Sequence, residues 1–429
     1  MVRRGTPFID KFWIGSRFVF LTLVFLSGTS ARADLSDRET LFKSNELYQS
    51  LTSGVPLLPS NPLYSVILSR VKKLDFLGAA AAITDPQTGA DEYFNNTVAL
   101  LPQTMNQDGT AVGERNEMSA MFLVAARDGL SLRDLLTKDF TAYDPTGTPA
   151  GVKYAIDDSG CTGGGNTSGT FCNTGHYRQV WKTTNPRRSL VQIGHPGFPG
   201  IGVFTSYPWA LNYDRAGTGR RNIKAVAENL YCVTMDALRT SGIPDTSIRQ
   251  DIPRDDAGFV TDCKTCHIWM DNWVRPFLAK DLINGNRLIW QSPIKDKLND
   301  IRGPNYPVTS ASFDFFYTED QNRILGIDES KSQVQTFSST GVKFIKGENL
   351  SDFSKIIANS RGFYRCMVKR VVAQIYLKKL FSFSTFSADD QKVLDGQADT
   401  IEVFTNIAMN SGDLSDLYRR IAVWYTFGQ

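Results

Sequence analysis

Apolar positions recur at helical spacing in two stretches of this chain, one towards each end, and lose that rhythm in between. Residues 34–141 predict a helical N-terminal unit. Ser36-Asp37-Arg38-Glu39 has the form of a capping box, in which the Glu side chain reaches back to the cap. Leu63 to Ala82 is apolar with Lys and Arg on one side, and Glu114 to Ala126 predicts a further helix. Leu130 to Thr137 predicts a shorter one capped by Ser131. Residues 142–217 are dense in Gly, Pro, Ser and Thr, and periodicity fades there. A segment such as His195–Phe204 (HPGFPGIGVF) is expected not to be helical. An irregular region of this length, with short strands, is expected to cover a site. Helical spacing resumes over 218–240, where Ile223, Val226, Ala227, Leu230 and Val233 share one face. Residues 301–345 read as an irregular connector with a strand-like piece at Gln333–Phe337. Residues 346–429 predict a helical C-terminal unit: Leu350–Asn359, Gly362–Leu380, a helix opening at Ser387 with Asp389 and Asp390 at its positive end, and Asp413–Phe427. No internal repeat is visible.

The strongest apolar run, Phe18–Leu26, has a different meaning. Arg3, Arg4, Lys11 and Arg17 precede it, and Ala31-Arg32-Ala33 follows as an A-x-A cleavage site. Residues 1–33 therefore read as a secretory signal peptide, with a mature chain from Asp34 in the periplasm. A run of nine residues is short for a membrane anchor, which is the other reading. Arg3-Arg4 is only a fragment of a twin-arginine signal, and the absence of a cysteine after the run speaks against a lipoprotein. The whole chain carries a net charge of +3, but residues 1–33 hold five bases against one acid, so the remainder is close to neutral. That balance gives no basis for binding nucleic acid or an anionic membrane surface. At 41% hydrophobic and 21% charged residues the composition is that of a globular protein. No further apolar run is long enough to predict a transmembrane helix.

Against this background Cys263-Lys264-Thr265-Cys266-His267 stands out as C-x-x-C-H, the attachment signature of a c-type haem. Two thiols at this spacing can add to the two vinyl groups of one porphyrin, and the next residue supplies an imidazole to the iron. The chain has three histidines, at 176, 195 and 267. A zinc site would need two more ligands at paired spacing. A thioredoxin-like motif would need a βαβ setting. A disulfide between Cys263 and Cys266 is the principal alternative. For the distal iron ligand His195, in a rigid Pro/Gly loop, and Met367 are candidates. His176, Met235, Met409, Met118 and Met121 are further ones. Met270 follows His267 by three residues on the same element and is set aside. Arg220-Arg221 could meet haem propionates. Trp269 and Trp273 could wall the porphyrin or fill ordinary core.

The other cysteines form an even set in an oxidising compartment, which suggests two disulfides. Cys161 and Cys172 bracket a Gly/Ser/Thr-rich loop and are paired locally. Cys232 and Cys366 then pair by elimination, joining two distant helices. Four buried free thiols are the alternative.

Several segments resemble a family of large secreted proteins of the planctomycete type, which combine c-type haem motifs with helical domains of unknown function. The likeness runs from about residue 115 to 429. It is carried by Asp128–Pro145, by Gly200–Leu211 with the Arg-rich Gly217–Cys232, by Cys263–Arg287, and by Phe353–Tyr376 with Asp413–Phe427. In the haem segment Asn272 stands where the family has proline, and the tail is matched only by Phe277, Asp281, Gly285 and Arg287. The resemblance implies one covalent haem c on Cys263, Cys266 and His267, and names no substrate. The expected fold is mainly α, with helical units around a haem-attachment segment at 218–300 and a long irregular middle. The expected function is that of a monohaem c-type cytochrome-like electron carrier, more carrier than catalyst, acting on a redox partner protein within an envelope complex. A haem enzyme with an open iron position, and an interaction protein in which the motif is only a disulfide, are the alternatives.

Overall fold

The computed structural model describes residues 35–105, 117–143, 170–172, 186–194, 201–213, 220–240, 264–283, 287–290, 312–337, 340–381 and 386–428. Over these residues the fold is mainly helical. Helix α1 (Asp37–Leu51) begins at the expected capping box: Glu39 N donates to Ser36 Oγ at 3.3 Å, and Ser36 N donates to the Glu39 carboxylate at 3.2 Å. The apolar stretch from Leu63 does not form one helix. It divides into α2 (Tyr64–Lys72) and α3 (Phe76–Ile83). Leu74 takes a left-handed backbone, φ 59°, and Asp75 caps α3 by accepting from Gly78 N at 3.0 Å. A π-helical turn at Tyr93–Val98 leads on to α4 (Glu117–Asp128) and the short α5 (Asp134–Thr137), where Ser131 and Asp134 bond reciprocally.

The Gly/Pro-rich middle contains short strands, as expected: β1 (Thr141–Tyr143), β2 (Thr170–Cys172) and, after α6 (Pro186–Ser189), β3 (Val191–Ile193). β1 and β3 are antiparallel, Ala142 opposite Gln192. The middle is also more helical than its composition suggests. Gly202–Thr205 is a 3-10 turn and α7 covers Tyr207–Tyr213. Gly202 permits this, with φ 48° and its Cα packed so closely on the Leu135 carbonyl that a Cβ would collide with it.

Helix α8 (Arg220–Ala225) passes into a π-helical turn, Val226–Leu230, and stops at Cys232, whose φ is 53°. Ile223, Val226, Ala227 and Leu230 are buried, while Val233 lies beyond the helix and is only partly covered. A 3-10 turn, Met235–Leu238, precedes α9 (Lys264–Trp273). Another at Arg275–Ala279 leads to β4 (Lys280–Ile283) and β5 (Arg287–Trp290), and β5 lies between β2 and β4. The connector expected to be irregular is a small antiparallel sheet. Strands β6 (Phe313–Tyr317), β7 (Val334–Thr336) and β8 (Lys343–Gly347) take the order β6-β8-β7, with Phe315 opposite Ile345. Between β6 and β7 runs α10 (Glu319–Leu325), capped by Thr318 and ended by Gly326 in the left-handed region.

The last helices are α11 (Leu350–Ala358), α12 (Arg361–Val372) with a π-helical continuation at Ala373–Leu377, α13 (Ala388–Asp395), α14 (Ala398–Ser411) and α15 (Leu414–Phe427). They share one core with the first helices, since α15 packs on α1, α3 and α4. Phe76 stacks on Phe427 with ring centroids 3.8 Å apart, Tyr93 donates to Ser415 Oγ at 3.1 Å, and Ser415 in turn donates to Ala126 O. Among the described residues no helix is long and apolar enough to cross a membrane.

Candidate haem-attachment segment

Helix α9 opens inside the C-x-x-C-H motif. Cys263 lies outside the described residues, and His267 lies in the helix backbone. Cys266 is a free, partly buried thiol packed on the edge of the core. Around it the chain folds back: Thr240 N donates to Thr265 O at 3.2 Å, which brings the Met235–Leu238 turn against α9. Asp236 first, and the Cys266 sulfur second, hold the exposed Arg239 guanidinium above its ordinary pKa. Arg239 is thus the cation beside the candidate attachment thiol.

The turns of α9 that follow Cys266 are aromatic and dry. Trp269 and Trp273 are both fully buried, edge to face at 4.8 Å. Trp273 stacks on Phe315 at 3.9 Å and donates from Nε1 to Phe316 O at 3.2 Å. Phe353 lies within 6.2 Å of Phe204, Trp273, Phe277, Phe313 and Phe315, so one ring cluster joins α9, β6, α11 and the Gly202–Thr205 turn. Trp273 therefore belongs to ordinary core. Trp269 Nε1 is buried and has no hydrogen-bond partner.

The charged pair on this helix also departs from expectation. Asp271 is fully buried, and Arg220 grips it with two bonds, Nε to Oδ1 at 2.7 Å and Nη2 to Oδ2 at 3.1 Å. Arg220, which could have met a haem propionate or opened the helix in solvent, is engaged by this carboxylate, because a buried anion demands a cation at hydrogen-bond distance. Arg221 is exposed. Asp271 and Arg239 are not singled out by the sequence pattern. The signal that could have found Asp271 is an acid within an otherwise apolar helical turn, four residues after His267.

Of the remaining candidates, Cys232 and Cys366 are joined in a disulfide, as expected, tying the end of the Val226–Leu230 turn to α12. The expected Cys161–Cys172 bridge lies outside the described residues, although the backbone of Cys172 forms the end of β2. His176 and His195 also lie outside them. Met367 is fully buried in α12, which packs mainly on α14, α15 and the two π-helical turns flanking it. Met118 and Met121 are buried in α4, and Met409 lies beside the Arg361 guanidinium, 3.8 Å from sulfur to Nη1. Met235 is the methionine candidate carried by a turn that packs on α9. Comparison with family models, with curated proteins and with solved structures gives no match for this chain.

Proposed function

We propose that the chain is a periplasmic monohaem c-type cytochrome-like protein, which holds one haem covalently and passes single electrons to a redox partner protein of the cell envelope. The observation that carries this reading is the state of Cys266. It is a free, partly accessible thiol on the first turn of α9, directly before His267, while Cys232 and Cys366 have paired with each other.

The residues present suit a porphyrin. Cys263 and Cys266 would each add across one vinyl group, sulfur bonding to one carbon and the thiol hydrogen passing to the other, so the attachment needs no oxidant. His267 would supply the imidazole ligand. Haem, when bound, supplies a one-electron couple. What the chain contributes is position and surroundings. Helix α9 is anchored by the Trp273–Phe315 stack and by the Arg220–Asp271 pair, so Cys266 and the backbone of His267 stand on a rigid element. The aromatic face excludes water from one side of that element. A methionine ligand would raise the reduction potential relative to a second histidine.

The decisive experiment is an intact-mass measurement on denatured protein exported from a host competent in haem attachment. The expected result is the mature polypeptide plus one haem, with a Soret band. A colourless product at the polypeptide mass would overturn the proposal.

A further inference from the structure

A pocket of about 580 Å³ opens where the end of α1, the π-helical turn Ala373–Leu377 and the end of α15 converge. That is the size of a small-molecule site. One side of it is aromatic. Tyr376 and Tyr425 stack with ring centroids 4.6 Å apart and 22° between their planes. Tyr376 is still 47% exposed, so much of its ring surface is left uncovered by the chain. Another side carries a cation on an unusual backbone. Lys378 ends the π-helical turn at φ 54°, a position where glycine or asparagine usually stands. Side chains held in that region, and π-helical turns themselves, gather at functional sites.

The competing explanation is that lysines at a helix end only offset its partial negative charge. Lys379 has a partner in any case, since both Asp390 oxygens accept from it. Lys378 differs. Among the described residues its Nζ meets no carboxylate within 4.0 Å, and its polar contact is Ser50 Oγ at 3.4 Å. Glu46, the acid that lines the pocket, is bonded to Lys43 at 2.9 Å. The pairs Glu46–Lys43 and Lys379–Asp390 therefore cancel, and the lining keeps the single positive charge of Lys378. Although Lys378 reaches solvent, the protein around it desolvates the ammonium and lowers its pKa, with Glu46 acting in the opposite sense. The Gln49 carboxamide on the α1 side has no hydrogen-bond partner among the described residues and adds a second donor. We propose that this pocket binds a small ring-bearing carboxylate, its carboxylate on Lys378 Nζ and its ring against Tyr376. One positive charge, one uncovered aromatic ring and one spare amide match the single negative charge, the ring and the second oxygen of such a ligand. The proposal does not depend on the haem reading, because none of the lining residues belongs to α9.

The test uses the full exported protein and benzoate as the probe. Benzyl alcohol supplies the ring without the charge, and acetate the charge without the ring. Ligand-observed NMR titration reads the affinities. The expected result is saturable benzoate binding with a dissociation constant at or below about 1 mM. Benzyl alcohol and acetate should each bind at least about tenfold more weakly. Lys378→Gly suits the left-handed backbone, so it removes the amine without disturbing the fold. It should weaken benzoate at least about tenfold. Tyr376→Ala, at an exposed position, should weaken benzoate as well. Absence of saturable benzoate binding overturns the proposal. So does an unchanged affinity in Lys378→Gly or in Tyr376→Ala, and so does benzyl alcohol binding as tightly as benzoate. Benzoate that shifts the Soret band and binds Lys378→Gly as it binds the wild type sits on the iron instead, an outcome that supports the haem reading and removes this one.

Discussion

A carboxylate buried as completely as Asp271 stays ionised only if a cation replaces the water it has lost. Arg220 does so from a neighbouring helix, and its fork geometry fixes both the distance and the angle between α8 and α9. The single residue thereby positions the helix that carries the attachment motif. Truncating Arg220 leaves a buried anion without its bidentate partner, a change that typically costs about 3–5 kcal/mol. Arg220→Met should therefore lower the urea midpoint markedly. Arg220→Met combined with Asp271→Asn should recover much of the loss, because the buried charge is then gone as well. A double variant as unstable as the single one would show that the pair acts through packing alone. This interaction was not legible beforehand. The sequence shows a basic pair at the start of a helix and an acid on another 51 positions away, and nothing local says that they meet.

At the scale of elements, local signals carried most of the information. The capping box at Ser36 and the acids Asp389 and Asp390 after Ser387 announced α1 and α13, because each is a signal only a few residues long. Elements that depend on distant partners were less visible. In the β6-β8-β7 sheet the strand-like piece at Gln333–Phe337 was visible and became β7, but β6 and β8 pair from some thirty residues apart and looked irregular by themselves. The Gly202–Thr205 turn depends on a left-handed glycine lying against the Leu135 carbonyl, a contact that composition cannot reveal. The π-helical turns at Val226–Leu230 and Ala373–Leu377 broke helices that period-3.6 spacing drew as continuous. The cap of α13 also makes a pH-dependent element. Both Asp390 oxygens accept from Lys379 Nζ at 2.9 Å, and one also accepts from Ser387 N at 3.2 Å. The bonds to Lys379, first among several, hold the Asp390 carboxyl below its ordinary value of 3.8. A depressed folded pKa stabilises above the ordinary value and is lost as pH falls through the folded one. Amide exchange at the start of α13 should therefore speed up as pH drops below 3.8 in the wild type. In Lys379→Met the rise should begin at higher pH. Superimposable exchange profiles would remove the ion pair from the account of this helix end.

Across the whole molecule, the cysteines divide the chain into a mechanical cross-link and a chemical handle. The Cys232–Cys366 bond spans 134 residues and joins the segment leading to α9 with the C-terminal helices that pack on α1 and α3. Closing a loop of that length can stabilise by up to about 5 kcal/mol in the chain-entropy account. Cys266 stands apart from this bond as a free thiol. Reductant distinguishes the two roles, because it cleaves a disulfide and leaves a thioether untouched. Exported, haem-loaded protein should lose stability to urea in dithiothreitol as the Cys232–Cys366 bond opens, yet keep its colour after denaturation. Alkylation under those reducing, denaturing conditions should reach Cys161, Cys172, Cys232 and Cys366, four of the six cysteines. Cys263 and Cys266 should stay unlabelled, since their sulfurs already carry the porphyrin. Labelling of all six would return the motif to ordinary thiol chemistry, and the electron-carrier reading would lose the covalent attachment on which it depends. The count of adducts by mass therefore tests, in one experiment, both the cross-link that organises the fold and the attachment that gives the fold a use.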